Sequence, residues 1–185
     1  MSAVERRLQE AASEAVLLGN EGVFAVLSVL AGLSESALRL FELRFPCDLR
    51  PRRAFEALRG FLRKEAAAES DAFIDAGWNA RAAALYLANH HADLLSPKQA
   101  AYAVYFSHSA AAADTRARIV DAFVFSCHHA HFAFRSFEVE ASAHERLEFL
   151  LSGRAAPTRE VHLALLEGSI SNLRRGRGMS DGAAP

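Results

Sequence analysis

Apolar residues recur every three or four positions along almost the whole chain, and no segment alternates in the manner of a half-buried strand. Val4, Leu8, Ala11, Ala12, Ala15 and Leu18 predict a first helix that ends near Gly19-Asn20. Gly22 to Ala31 reads as a short, strongly apolar second helix, and Ser34 as the cap of a third. That third helix carries the stripe Ala37, Leu38, Phe41 and Phe45, and Pro46 ends it. Asp48 or Arg50 begins the next, with Pro51 in its first turn, where a missing N–H is harmless. Phe55, Leu58 and Leu62 form its inner face, while Arg52, Glu56, Arg59 and Arg63 lie on the polar side.

Ser70 caps a long helix that reaches about Leu95. Phe73, Gly77, Ala80, Ala84, Leu87, His91 and Leu94 share one stripe, and its small residues favour close approach of a neighbour. Ser96-Pro97-Lys98-Gln99 has the form of a capping box with proline at the first helical position. The helix that follows faces inward through Ala100, Val104, Ser107 and Ala111. From Asp114 to Glu138 the apolar groups point in every direction, among them Phe123, Phe125, Phe132, Phe134 and Phe137. A helix apolar all round is buried on all sides, so this one is expected at the centre of the core. Ala141 to Leu151 continues as helix and stops at Gly153, and a last helix starts at Pro157-Thr158 and runs through Val161, Leu165 and Leu166. The pattern predicts one all-α domain over residues 1–173, a multi-helix bundle around the helix near 115–138, and a disordered tail over 174–185.

Composition sharpens this. A chain of 185 residues with 51% hydrophobic content can bury a proper core. A net charge of −1 gives no general attraction to nucleic acid or anionic lipid. The N-terminal residues are charged and amphipathic, unlike a signal peptide. The apolar run Val23 to Leu33 is too short to cross a bilayer. The two cysteines, Cys47 and Cys127, lie in different elements, unlike a disulfide framework. A cytoplasmic protein with reduced thiols and no membrane partner is expected.

Two groups of residues carry candidate chemistry. Cys127 and His131 sit one turn apart on one helix face, with His128 to the side and His129 opposite. If the helices before and after Pro97–Ala113 are antiparallel to it, His91 lies at about the same height as Cys127 and His131 at roughly 1.5 Å per residue. These three would then share one level as ligands of a metal or small molecule. No HxxxH or ExxH repeat accompanies them, and the simpler reading is hydrogen-bonded core histidines around a small buried thiol, with no cofactor. The second group is basic: Arg50, Arg52, Arg53, Arg59, Arg63 and Lys64. It reads either as a contact patch for an acidic partner or as a solvated helix face tied to Glu42, Asp48, Glu56 and Glu65 by local ion pairs. No nucleophile elbow, phosphate loop, HExxH or CxxC occurs, so no motif points to an enzyme.

The stretch Leu38 to Leu62, LRLFELRFPCDLRPRRAFEALRGFL, resembles the small all-helical immunity proteins of bacterial polymorphic toxin systems, the fifth immunity family and its relatives. The family's pattern is an apolar-Phe-Glu helix end, a Pro-acid segment and an Asp-Arg-Pro-Arg motif leading into an Ala/Glu/Arg helix. Here it reads Leu40-Phe41-Glu42, Pro46-Cys47-Asp48, Arg50-Pro51-Arg52 and Ala54-Phe55-Glu56-Ala57, with Leu49 and Cys47 in place of acidic residues. The resemblance implies a cytoplasmic protein that binds a cognate toxin and neutralises it by occlusion. The resemblance names no particular toxin and no contact residues; the candidate contact residues Asp48, Arg50, Arg52 and Arg53 come from the charged patch around the Arg-Pro-Arg segment itself.

Overall fold

The computed structural model describes residues 3–64, 67, 68, 70–153, 156 and 158–176. Among the described residues there are eight α-helices and no strand: α1 (Ala3–Leu17), α2 (Asn20–Glu42), α3 (Arg50–Leu62), α4 (Asp71–His90), α5 (Leu95–Ala111), α6 (Arg116–Glu140), α7 (Ala143–Leu151) and α8 (Arg159–Gly176). They pack as a single all-α bundle, as the periodicity predicts. α2 touches α1, α3, α5, α6 and α8, and α5 and α6 form the most extensive pair.

Small residues explain the α5–α6 pairing. Ala100, Ala103 and Ala110 of α5 and Ala122, Ala130 and Ala133 of α6 are all buried. Ser126 donates to the Ala103 carbonyl at 2.9 Å and shares a 2.7 Å hydroxyl contact with Ser107. That satisfies two polar groups where the helices leave no room for water. Phe41, Phe55, Phe73 and Phe123 are the largest fully enclosed side chains. Burial of each contributes on the order of 2–3 kcal/mol.

Four expectations change. First, the apolar run and the Phe41 stripe are one helix, α2, and Ser34 lies inside it, fully buried. The run of good helix formers continues past Ser34, so nothing stops the helix there. At this length α2 is long and apolar enough to cross a membrane, although here other helices surround it. Second, α4 stops at His90 rather than near Leu95. Third, Ser96 does not cap α5. Its hydroxyl is buried without a partner, and the Glu140 carboxylate accepts from the backbone N–H groups of Leu95 and Ser96 at 3.2–3.3 Å. Fourth, α6 is central but not enclosed. It packs on α1, α2, α5 and α8, yet Phe125 and Phe132 are 51% and 46% exposed.

The ends also differ in detail. Residues 174–176, expected in the tail, are the last turn of α8, and residues 177–185 lie outside the described residues, as does Pro157. Thr158 accepts from the Val161 N–H at the start of α8. α7 opens with a capping box between Ser142 and Glu145.

Candidate functional site

α3 holds most of the basic candidates, and the structure separates them sharply. Asp48 lies just before α3. Its Oδ1 accepts from the Arg50 backbone N–H at 3.1 Å and from Arg50 Nε at 2.9 Å, and its Oδ2 accepts from Arg50 Nη2 at 2.6 Å. The bond from Arg50 holds the Asp48 carboxyl below the usual carboxylate value. Arg50 also lies over the Tyr86 ring of α4, 5.7 Å from its centroid. Arg52 donates two parallel bonds, both 2.7 Å, to Glu42 at the end of α2, and reaches Glu56 at 3.5 Å. Bidentate pairing of this kind fixes geometry as well as charge. Asp48, Arg50 and Arg52 therefore set the start of α3. Glu65, the fourth expected carboxylate, lies outside the described residues. Arg53 is exposed, and among the described residues no carboxylate pairs with it.

His91, Cys127 and His131 do not come together. Because α4 ends at His90, His91 sits in the following loop. There it packs on Phe45 and Tyr86, with ring centroids 5.9 and 5.8 Å away, beside a shallow cleft shared with Arg44, Cys47 and Arg50. His131 instead faces the start of α8, where burial first, then Arg159, lowers its pKa. Cys127 is fully enclosed, and burial pushes its thiol pKa far up, so it is a neutral SH at ordinary pH. Among the described residues, no three His, Cys, Asp or Glu side chains gather closely enough to hold a metal ion.

The other histidines of α6 have different roles. His129 points away from Cys127, as the helical spacing predicts, and stacks on Phe106 of α5 with planes 5° apart. Its Nδ1 lies 2.5 Å from Gln99 Oε1, which gives Gln99 a role other than the expected cap. Burial, assisted by His128, lowers its pKa to about 4. His128 accepts at Nδ1 from Arg159 Nη2 at 2.8 Å, and Arg159 also pairs with Glu5 Oε1 at 2.8 Å. Arg159 thus joins α1, α6 and α8 through a mostly buried guanidinium. Sequence reasoning passed over it. The available signal was a cation in the first turn of a helix, where the helix dipole disfavours one unless an anion holds it.

A feature absent from the sequence reading is the outer face of α4. This helix packs on α3 and α5, and Ile74, Trp78, Leu85 and Tyr86 stay 41–54% exposed. They recur at helical spacing on the half turned from the core. The inner half explains why: Phe73 stacks on His108 of α5 at 3.9 Å, and a Cβ at Gly77 would fall 2.5 Å from the same ring. With Gly77 and the alanines turned inward, the larger apolar groups lie outward. Arg81 lies over the Trp78 ring at 5.0 Å. Comparison with protein-family models, curated proteins and solved structures finds no match for this chain.

Proposed function

We propose that this chain acts by binding a protein partner stoichiometrically, as an immunity protein occludes its toxin, with no chemistry of its own. The observation that carries this reading is the uncovered apolar face of α4, with Trp78 at its centre. Contiguous exposed apolar patches rimmed by polar residues mark interaction surfaces, whereas apolar residues exposed singly do not. Trp, Tyr and Arg are also the residue types that dominate protein–protein contacts. The resemblance of Leu38–Leu62 to immunity proteins supplies the class of partner, a cognate toxin. The basic candidates divide: Arg50 and Arg52 hold the scaffold, and Arg53 is free for contact.

Co-purification of the chain from its own host tests this. The expected result is one protein in a 1:1 complex, with affinity reduced by at least about thirtyfold on Trp78→Ala, in line with a contact worth about 2 kcal/mol. A partner that binds Trp78→Ala as well as the unaltered chain would exclude α4 as the contact. Isolation of the chain alone under conditions that preserve complexes would end the reading.

A further inference from the structure

We infer that the paired outer faces of α3 and α4 form one docking surface whose occupant is an acidic amphipathic segment of a protein partner. The segment's apolar side chains lie over Trp78 and Leu85, and its carboxylates over Arg53 and Arg63. This rests on the binding reading above and adds the place and the charge of what is bound.

The two helices run antiparallel. Arg50 of α3 meets Tyr86 of α4 at one end, and Phe61 meets Phe73 at 5.8 Å between ring centroids at the other. Packed helices lie about 8–10 Å apart, so the outer row of α3 runs as a ridge beside the outer row of α4. The ridges differ in chemistry. Between Arg50 and Lys64 the sequence has six basic residues and one acidic residue, Glu56. Arg50 and Arg52 are neutralised by Asp48, Glu42 and Glu56. Arg53, Arg63 and Lys64 are exposed, and no carboxylate among the described residues pairs with them. The chain as a whole carries a net charge of −1, so this excess of positive charge is local.

An apolar ridge beside a basic ridge is complementary to a segment with one apolar side and one acidic side. It suits a nucleic acid less well, because Asp71 and Asp75 are exposed on α4 and repel phosphate. On a peptide, carboxylates can be confined to the α3 side, whereas a phosphate backbone is charged along its whole length.

The test selects short random peptides displayed on phage against the intact chain, with counter-selection on Trp78→Ala. Trp78 is the single tryptophan, so its fluorescence reports binding of each selected peptide directly. The expected outcome is a set of acidic, amphipathic peptides whose affinity falls with added salt. Arg53→Glu with Arg63→Glu is expected to weaken them about tenfold or more without changing the melting temperature. Neutral or basic peptides, or none that survive counter-selection, would overturn the inference. So would acidic peptides indifferent to the double charge reversal, or poly(U) RNA that binds the same face more tightly than any peptide. A host partner lost on Trp78→Ala but unaffected by the charge reversal would also overturn it, while leaving the binding reading intact.

Discussion

Gly22 of α2 rests directly on the backbone of Ala15 in α1: a Cβ at Gly22 would fall 1.7 Å from the Ala15 carbonyl oxygen. The turn between the helices passes through Gly19 at φ +78°, a left-handed conformation that favours glycine. Together they fold α1 tightly back on α2. Because the obstacle is backbone, no side-chain rotation relieves it. Gly22→Ala is expected to destabilise the chain by about 3 kcal/mol or more, through displacement of α1. Gly32, in the same helix, has nothing within 4 Å of its added Cβ and is exposed. Gly32→Ala is expected to stabilise by about 0.5–1 kcal/mol. Chemical denaturation of the two variants checks both signs, and a similar effect at each site would contradict the packing of α1.

The carboxylate of Glu140 replaces the cap that Ser96 does not supply. It receives the first backbone N–H groups of α5 from the end of α6, so it links two helices as well as capping one. Glu140→Ala is expected to cost about 1–2 kcal/mol, the range of a lost N-cap. Ser96→Ala is expected to be neutral or slightly stabilising, since its buried hydroxyl has no partner. Equilibrium urea unfolding distinguishes this from a working capping box at Ser96, which would reverse the order.

These two residues show what could be read in advance. Helix number and type follow from local periodicity, and α1, α3, α6, α7 and α8 lie close to where the pattern places them. The cap on α5 was not legible, because Glu140 is 44 residues away from Ser96 in the chain. Ser34 failed as a cap for a similar reason: its surroundings in space decide, and the packing of α2 buries its hydroxyl inside the helix without a partner. The phenylalanines of α6 predict burial on all sides, yet the bundle covers Phe123 fully and leaves Phe125 half exposed. The hypothesised ligand trio depended on α4 reaching Leu95, and ending one turn earlier turns His91 toward Tyr86. The α4 surface was not drawn from the sequence: the inner stripe through Phe73, Gly77, Ala80, Ala84 and Leu87 was legible, but Trp78 and Leu85 lie off it, and periodicity alone does not say whether another element covers them.

The two cysteines should react very differently. Cys47 is exposed in the α2–α3 connection, while Cys127 is enclosed and its thiol is held neutral by burial. The thiolate is the reactive form. A disulfide reagent such as DTNB is expected to titrate one thiol rapidly in the native chain and two in denaturant. Cys47→Ser should remove the rapid phase entirely. Rapid reaction of two native thiols would show that α6 opens readily at Cys127.

Stability should fall with pH well before the carboxylates protonate. His108, stacked on Phe73, and His162, in the first turn of α8, are both buried, and burial lowers each pKa from about 6.5 to about 4. In the unfolded chain these imidazoles take up protons near pH 6.5, whereas in the folded chain they stay neutral until about pH 4. Between those values the unfolded state binds more protons, so lowering the pH favours unfolding. The stability each provides is complete above pH 6.5 and lost as pH falls to about 4, with a slope approaching about 1.4 kcal/mol per pH unit for each site. The full loss is on the order of 3 kcal/mol for each histidine. Asp48 adds little in this window: Arg50 lowers its carboxyl from an ordinary value of 3.8, so the stability it contributes is lost only as pH falls below that value. Urea unfolding measured at intervals from pH 7 to pH 4.5 is expected to show the decline, and His108→Gln to reduce its slope by one proton's worth. A flat profile over that range would mean that both rings take up protons in the folded chain as readily as in the unfolded one, and that burial does not hold them neutral.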